Sequence, residues 1–587
     1  MKKLSFSITA NTIHTLRELV RIPGGAELLV AATALIAYLC TTAFGFVYDD
    51  RMTLSAMPQL PSLHDFLSVF LPNSHPGKDD WIVAYYYRPM LSALLLFCRL
   101  LFRGWAAGWH LVGVTLHVAA SLMVYRLGLL LWRRRNIGFV AALLFAAHPV
   151  HLQTVVWVSG YSDLLAGFFL LASVLCFLRW AEGGRPLWQL PALLLGGMAL
   201  LSKETAVALP FLLFFTAIAV ETRRPRRRIL LATLPSLLMT LLYLAARFSA
   251  IRALQNSPSD ALPGAPIVYS YPQAAWFYLR QLLATMPVSP VYPLGPVQSP
   301  GFLAFWLPLL LCLLTFLLLA LWWYLAGRRR EPLACAVWIL LPMPPAFYAM
   351  SSFVAGQMAS ERYLYAPSVG FCLLAAALLC RIVPGWAGHW GRIQGQLVAG
   401  IAVTFLLMAS TVFQQQYWAN DIFLFHHALQ VSPGDQTALL DLGTAYYEKE
   451  NYEAGDEQLR KLLFENPNHP SANFNYGISL FRRGNYAEAD APLRRCVILN
   501  PDNMDGWIYL AMNETRMGHL DLAVFMTRQA LARHPGDPRL MNTQGAILLM
   551  EGSNGAAMAL FQKVLAANPA DETAQQGLQQ SRQQSPH

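Results

Sequence analysis

Ionisable residues stand at the ends of apolar runs along this chain: Asp49-Asp50, Arg88, His148, His151, Asp163, Lys203-Glu204 and Glu361-Arg362. Charge at membrane depth is costly, so such groups mark a functional site or a structural pair. Together they could carry out transfer from a charged lipid donor. Arg and Lys side chains suit the phosphate of a lipid-linked sugar as it leaves. A carboxylate of Asp49-Asp50 would deprotonate an acceptor hydroxyl. The two adjacent carboxylates could instead hold a divalent cation that neutralises leaving-group charge. Each group also has a plainer reading. Asp49-Asp50 could solvate a helix end, Asp163 could cap one, and Lys203-Glu204 and Glu361-Arg362 could be self-neutralising pairs. Arg88 could anchor a surface helix, and His148 and His151 could be satisfied within a turn.

The elements that must position these residues are membrane spans. The chain has 587 residues, of which 56% are hydrophobic and 13% charged; soluble proteins carry about 25% charge. Its mean hydropathy is +0.40. Runs such as 26–47, 301–326 and 396–411 match or approach the ~20 residues that cross a bilayer. The first begins well inside the chain and is followed by many more, unlike a cleaved signal peptide. Eleven spans are expected, near 26–47, 105–131, 136–150, 162–180, 187–201, 205–220, 229–249, 301–326, 332–350, 363–382 and 396–414. The stretch 89–102 is short for a span and is expected to lie along the surface or re-enter. A long loop is expected over 250–300.

With Lys2, Lys3, Arg17 and Arg21 in the cytoplasm, the clusters at Arg133–Arg135, Arg223–Arg228 and Arg328–Arg330 all fall on the cytoplasmic side, as loop charge bias requires. The ionisable groups at the span ends then all fall on the opposite side. That arrangement implies one cavity opening outward. The net charge of +10 divides into −6 over residues 415–587 (13 Lys+Arg against 19 Asp+Glu) and +16 over the rest (30 against 14). Basic clusters in short loops between spans argue against nucleic acid as a partner. The eight cysteines have no zinc or CxxC spacing and read as packing residues.

Beyond residue 415 the chain changes character. Pro433, Pro467, Pro501, Pro535 and Pro569 recur every 34 residues, as do Gly443, Gly477, Ala511 and Gly545. This is the tetratricopeptide (TPR) period of paired helices. The expected division is a membrane domain over 1–414 and a repeat domain over 415–587. The latter holds a partial repeat at 421–435, repeats at 436–469, 470–503, 504–537 and 538–571, and a capping helix at 572–582. The inner groove would present Asp441, Asn475, Tyr509 and Thr543, with Arg482 and Arg516 at another register. The acceptor-groove residues are expected to be Asn475, Arg482, Tyr509 and Arg516. The fold class is therefore all-α, a polytopic membrane domain followed by an α-solenoid.

The runs Phe46-Val47-Tyr48-Asp49-Asp50, Tyr87-Arg88-Pro89-Met90, His110-Leu111 with His117, His148-Pro149-Val150-His151, Gly160–Leu165, Ser202-Lys203-Glu204 and Glu361–Ser368 occur in that order. This set closely resembles the transmembrane and TPR-containing O-mannosyltransferases, which have the GT-C glycosyltransferase fold. The resemblance implies inverting transfer of a sugar from a polyprenyl-phosphate donor to Ser or Thr of an exported protein. It implies a catalytic carboxylate in the first external loop, Asp49 or Asp50, with Asp49 the favoured base. Arg88, His148, His151, Asp163, Lys203, Glu204, Glu361, Arg362 and Tyr365 would bind the donor, and any metal would lie at Asp49 and Asp50. Two departures stand out: Gln153 and Tyr161 occupy positions where the family commonly has an acidic and a polar residue, so sugar choice is open. The expected setting is a bacterial inner membrane with a cytoplasmic N-terminus and periplasmic repeats. A pilin or envelope protein would be the acceptor. A lipid or polysaccharide acceptor, or a non-catalytic assembly platform, are the alternatives.

Overall fold

The computed structural model describes residues 23–71, 87–254, 264–284, 287–325, 327, 329–350, 358–382 and 388–584. Lys2, Lys3, Arg17, Arg21 and Arg328 lie outside them. The described residues are helical with no strand, and the chain divides into two compact units, Met1–Pro433 and Gly434–His587.

Among the described residues of the first unit, eight helices are long and apolar enough to cross a membrane: Gly25–Ala43, Ala106–Trp132, Val158–Ala181, Arg226–Ala250, Phe302–Leu325, Glu331–Ala349, Glu361–Arg381 and Gly395–Ala419. A ninth is broken. Arg135–Ala147 and Pro149–Val156 meet at a 50° bend. His148 is extended there (φ −72°, ψ 126°), as the residue before a proline prefers. The two remaining expected spans are shorter helices, Pro186–Ser202 and Glu204–Ala219. Lys203 separates them in an extended conformation (φ −161°, ψ 148°). The chain is a multi-pass membrane protein. Among the described residues the spans number eight by length and apolarity, or nine with the bent pair, against the eleven expected, because the helices on either side of Lys203 are too short to count as full crossings.

Two further expectations are refined. Pro89–Phe102 is one helix of 14 residues with Pro89 at its first turn, about 21 Å long, short of the ~30 Å apolar layer. The stretch read as a loop over 250–300 contains the helix Gly264–Ala284. Pro272 within it disguised the helix, since proline removes a ladder bond and ordinarily breaks one.

Val158–Ala181 and Glu361–Arg381 are the most enclosed spans, at 72% and 78% buried, whereas Phe302–Leu325 is only 6% buried. The first two carry site residues; the last has the uniformly apolar surface that lipid accepts. Small residues bring the inner helices together, as is usual in membranes. A Cβ on Gly128 would lie 2.7 Å from Gly138 Cα, and one on Gly167 would lie 2.5 Å from the Tyr365 ring.

The second unit is a stack of helix pairs: Gln436–Glu448 with Tyr452–Glu465, Pro470–Arg482 with Tyr486–Leu499, Met504–Arg516 with Leu520–Arg533, and Pro538–Met550 with Asn554–Ala567, then Glu572–Gln584. The helix Asp421–Val431 precedes the division and packs within the first unit. A cap recurs at each pair. Asp435, His469, Asn503 and Asp537 accept the N–H of Ala438, Ala472, Gly506 and Leu540. Each cap satisfies an orphan donor of the first turn.

The recurring glycine is explained by what it faces. A Cβ on Gly443, Gly477 or Gly545 would lie 3.0, 2.8 or 2.6 Å from Leu459, Leu493 or Phe561. In the third repeat Ala511 takes the slot, and the residue at the facing register is the smaller Thr527, buried like Ala511.

Candidate active site

The turn after the first span is built around Asp50. This carboxylate is fully buried. Its Oδ1 accepts from Ser159 N at 2.8 Å and Ser159 Oγ at 2.7 Å, and its Oδ2 from Val47 N at 3.4 Å. Asp49, beside it, is partly exposed, and its Oδ1 accepts from Trp157 Nε1 at 3.0 Å. One carboxylate thus frames the turn while its neighbour remains reachable. Burial raises both carboxyls; Asp50 is pushed up to about 7, with the Asp49 charge as the second cause. For Asp49 the rise from burial is opposed by Ser159, the Arg362 charge and the Trp157 hydrogen bond.

Tyr48 holds a left-handed backbone (φ +56°) just before the pair, a strained conformation for a non-glycine residue. Its N–H donates to Asp421 Oδ1 at 2.7 Å, and Arg51 pairs with the other oxygen at 3.1 Å. Gly45 N donates to Ala419 O at 3.3 Å. The chain following the last span is therefore part of the frame of the Asp49 turn.

The basic residues divide by partner. Arg88 pairs with Glu204 at 2.9 Å, and Arg247 joins the same carboxylate at 3.5 Å. Lys203 pairs with Asp163, both buried, and lies over the Tyr363 ring at 4.3 Å. Neither Lys203-Glu204 nor Glu361-Arg362 is a self-neutralising pair. Glu361 accepts from Gln281 Nε2 at 2.7 Å and is fully buried. Asp163 does not cap its helix; Gly160 stands at the N-cap.

Among the described residues Arg362 has no carboxylate in ion-pair range. Its guanidinium lies over Trp157 at 5.1 Å and Tyr363 at 5.8 Å, and its Nε is buried without a partner. A buried guanidinium donor without an acceptor invites an anion.

His148, His151 and Tyr365 are buried and hydrogen-bonded within the membrane unit. His148 Nε2 meets Leu282 O at 3.1 Å, His151 Nε2 meets Ser368 Oγ at 2.8 Å, and Tyr365 Oη meets His117 Nδ1 at 3.0 Å. The rings of His151 and Tyr365 pack with Phe145 and His117 into one buried cluster. Gln153 is likewise structural in its contacts. Its Nε2 donates to Ser289 O at 2.6 Å and its Oε1 accepts from Ser360 Oγ at 2.5 Å. A carboxylate there could not make the first bond. Tyr161 Oη donates to Trp109 O at 3.0 Å.

The donor set does not fit a chelated metal. Asp50 has both oxygens engaged by N–H and O–H donors, and among the described residues no three His, Cys, Asp or Glu side chains converge.

Sequence reading missed Trp157, Arg247, Asp421 and Ser159. Tryptophan and serine near a bend carry no sequence signal of their own. Arg247 and Asp421 owe their places to Glu204 and Tyr48, which lie far away in the chain, so their own neighbours do not mark them.

In the repeat unit, Asn475 Nδ2 donates to Thr444 Oγ1 at 2.9 Å, and Tyr509 packs edge-on to Phe474 and Phe481. Arg482 and Arg516 are both exposed.

Residues 84–250 match the Dolichyl-phosphate-mannose-protein mannosyltransferase family model, and residues 440–503 and 510–572 match the Tetratricopeptide repeat model. A Protein O-mannosyl-transferase of Caenorhabditis elegans is 26% identical over 438 residues, covering 71% of this chain and 59% of the relative. Protein O-mannosyl-transferase TMTC1 of Homo sapiens is 24% identical over 484 residues, covering 70% and 52%. Protein O-mannosyl-transferase TMTC2 of Mus musculus is 32% identical over 202 residues, covering 31% and 22%. The chain spans about half the length of the curated relatives it matches. With a mannosyltransferase-type membrane segment followed by tetratricopeptide repeats, the chain is similar to these protein O-mannosyltransferases.

Proposed function

We propose that this protein is a membrane-embedded glycosyltransferase that moves a sugar from a polyprenyl-phosphate donor to Ser or Thr hydroxyls of exported proteins. The observation that carries this reading is the pairing of a reachable carboxylate, Asp49, with a cation that lacks an ion-pair partner among the described residues, Arg362. Asp49 takes the proton of the acceptor hydroxyl as that oxygen attacks the anomeric carbon. The bond from that carbon to the phosphate oxygen breaks, and the leaving phosphate gains charge. Arg362 binds that charge. Direct displacement inverts the anomeric centre. Arg88 and Lys203 contribute positive potential from within the ion pairs Arg88–Glu204 and Lys203–Asp163.

The repeats recruit the acceptor polypeptide. Tethering raises its local concentration to ~mM without touching the reacting hydroxyl. The orientation that fits the loop arginines puts the N-terminus in the cytoplasm and the Asp49 turn and the repeats outside, in a bacterial inner membrane. Pilins and envelope proteins are then the acceptor class. Mass spectrometry of exported proteins from cells with the wild-type chain, with Asp49→Asn and without the gene tests the reading. Hexose-bearing Ser/Thr peptides should require Asp49. Unchanged glycopeptides in cells lacking the gene would overturn it.

A further inference from the structure

Trp157 stands where the two halves of the site meet. It lies between the short helices Leu152–Val156 and Val158–Gly160, with an extended backbone (φ −87°, ψ 116°), and is 7% exposed. Its indole N–H donates to Asp49 Oδ1 at 3.0 Å, and the face of the same ring lies 5.1 Å from the Arg362 guanidinium. Tyr48 and Trp418 back the ring at 5.6 and 6.3 Å. The seat leaves little room: a Cβ on Gly160 would lie 3.0 Å from the Trp157 ring and 2.8 Å from Gln153 O.

An indole donates one hydrogen bond and accepts none. Its N–H therefore selects the carboxylate and fixes one of its oxygens. A guanidinium over an indole face is held by the ring quadrupole. The two contacts use different parts of one rigid side chain, so base and cation share a frame.

We infer that Trp157 is a positioning residue for the transfer reaction, holding the base Asp49 by its N–H and the donor-phosphate cation Arg362 by its ring face. This rests on the roles proposed above for those two residues. Two substitutions separate the functions. Trp157→Phe keeps an aromatic face and removes the N–H. Trp157→Leu removes both.

The assay is steady-state transfer from a polyprenyl-phosphate mannose donor to a Ser/Thr peptide, using the full chain in detergent, as a function of donor concentration and pH. Trp157→Phe should lower kcat about tenfold, the scale of one hydrogen bond to a charged group, with donor KM unchanged. Its acid limb should move to higher pH, because the ionised carboxylate loses a donor while Asp50 and Arg362 still act on it. Trp157→Leu should in addition raise donor KM about fivefold. A merely structural tryptophan would lower active enzyme in both variants without moving the limb or the KM. If Trp157→Phe does not fold, Arg362→Lys examines the same stack from the other side. It keeps the charge and loses the flat face, and donor KM should rise about fivefold; an unchanged KM would overturn the inference. Asp49→Asn run in parallel separates the two layers. Turnover by Asp49→Asn would defeat the assignment of the base. A dead Asp49→Asn, with Trp157→Phe at the wild-type limb and Trp157→Leu at the wild-type donor KM, would defeat the role of Trp157 alone.

Discussion

Replacing Asp49 and Asp50 one at a time by asparagine distinguishes the base from the frame. The Asp49→Asn side chain would keep an oxygen for the Trp157 N–H, so shape and hydrogen bonding persist while the proton acceptor is lost. General-base removal lowers rate ~10²–10⁴-fold, about 3–5 kcal/mol in the barrier, and the unfolding midpoint should stay near wild type. Asp50→Asn acts differently. Both Ser159 donors use Oδ1, which an amide oxygen reproduces. The NH₂ then opposes Val47 N–H, a contact of 3.4 Å in the wild type. One weak bond of three is lost, about 1 kcal/mol, and turnover should fall no more than about tenfold. A pH series supplies a second readout. The Asp50 carboxyl is raised from 3.8 to about 7 in the folded protein. Its contribution to stability is therefore full below the unfolded value and is lost as pH rises through about 7. Wild type should lose stability relative to Asp50→Asn across that interval. Activity should rise with pH along a limb above the ordinary aspartate range, since burial raises Asp49 also. The assays are sugar transfer to a Ser/Thr peptide and thermal unfolding in detergent. Near-normal turnover by Asp49→Asn, with Asp50→Asn folded but inactive, would refute the reasoning and make Asp50 the base.

Arg362→Ala should raise donor KM about tenfold or more, the loss of a charge-assisted contact, with little change in expression. Lys203→Ala should instead reduce folded yield, because it strands the buried Asp163 carboxylate, a change of about 3–5 kcal/mol; the reverse pattern in donor titrations and yields would exchange their roles. In the repeats, Gly477→Ala puts a Cβ 2.8 Å from Leu493 and should destabilise by about 1–2 kcal/mol after its gain in helix propensity. Adding Leu493→Thr copies the Ala511–Thr527 combination and should recover most of the loss in urea unfolding; no recovery would discount the facing-pair explanation. Deleting 435–587 should impair glycosylation of a whole protein acceptor far more than transfer to a short peptide at high concentration. Equal losses, in a truncation that retains Asp421 and its bond to Tyr48, would show that the repeats support folding and do not select the acceptor.

Much of the architecture was legible in the sequence because it is periodic. Apolar runs marked the membrane helices, and a 34-residue repeat located each helix pair of the solenoid, down to the glycine that lets Leu or Phe approach. Polar residues at the ends of the runs named most of the charged groups that surround Arg362. The sequence alone did not assign their partners. Asp163 joins Lys203 across 40 residues and Glu204 joins Arg88 across 116, and the neighbouring residues in the chain do not pair. Nor could it divide the histidines from the arginines. All stand at span ends, yet packing turns His151 and Tyr365 inward against Phe145 and leaves Arg362 without a carboxylate among the described residues. Span number was hard to read where helices are short: the sequence placed the break at Lys203, but composition does not say whether the short helices on either side, Pro186–Ser202 and Glu204–Ala219, each cross the bilayer. Trp157 was invisible for a related reason: an indole gains a role only from what folding brings to its N–H and its face, and Asp49 lies 108 residues away. Local pattern determined the helices; the long-range contacts that no periodicity encodes determined the site.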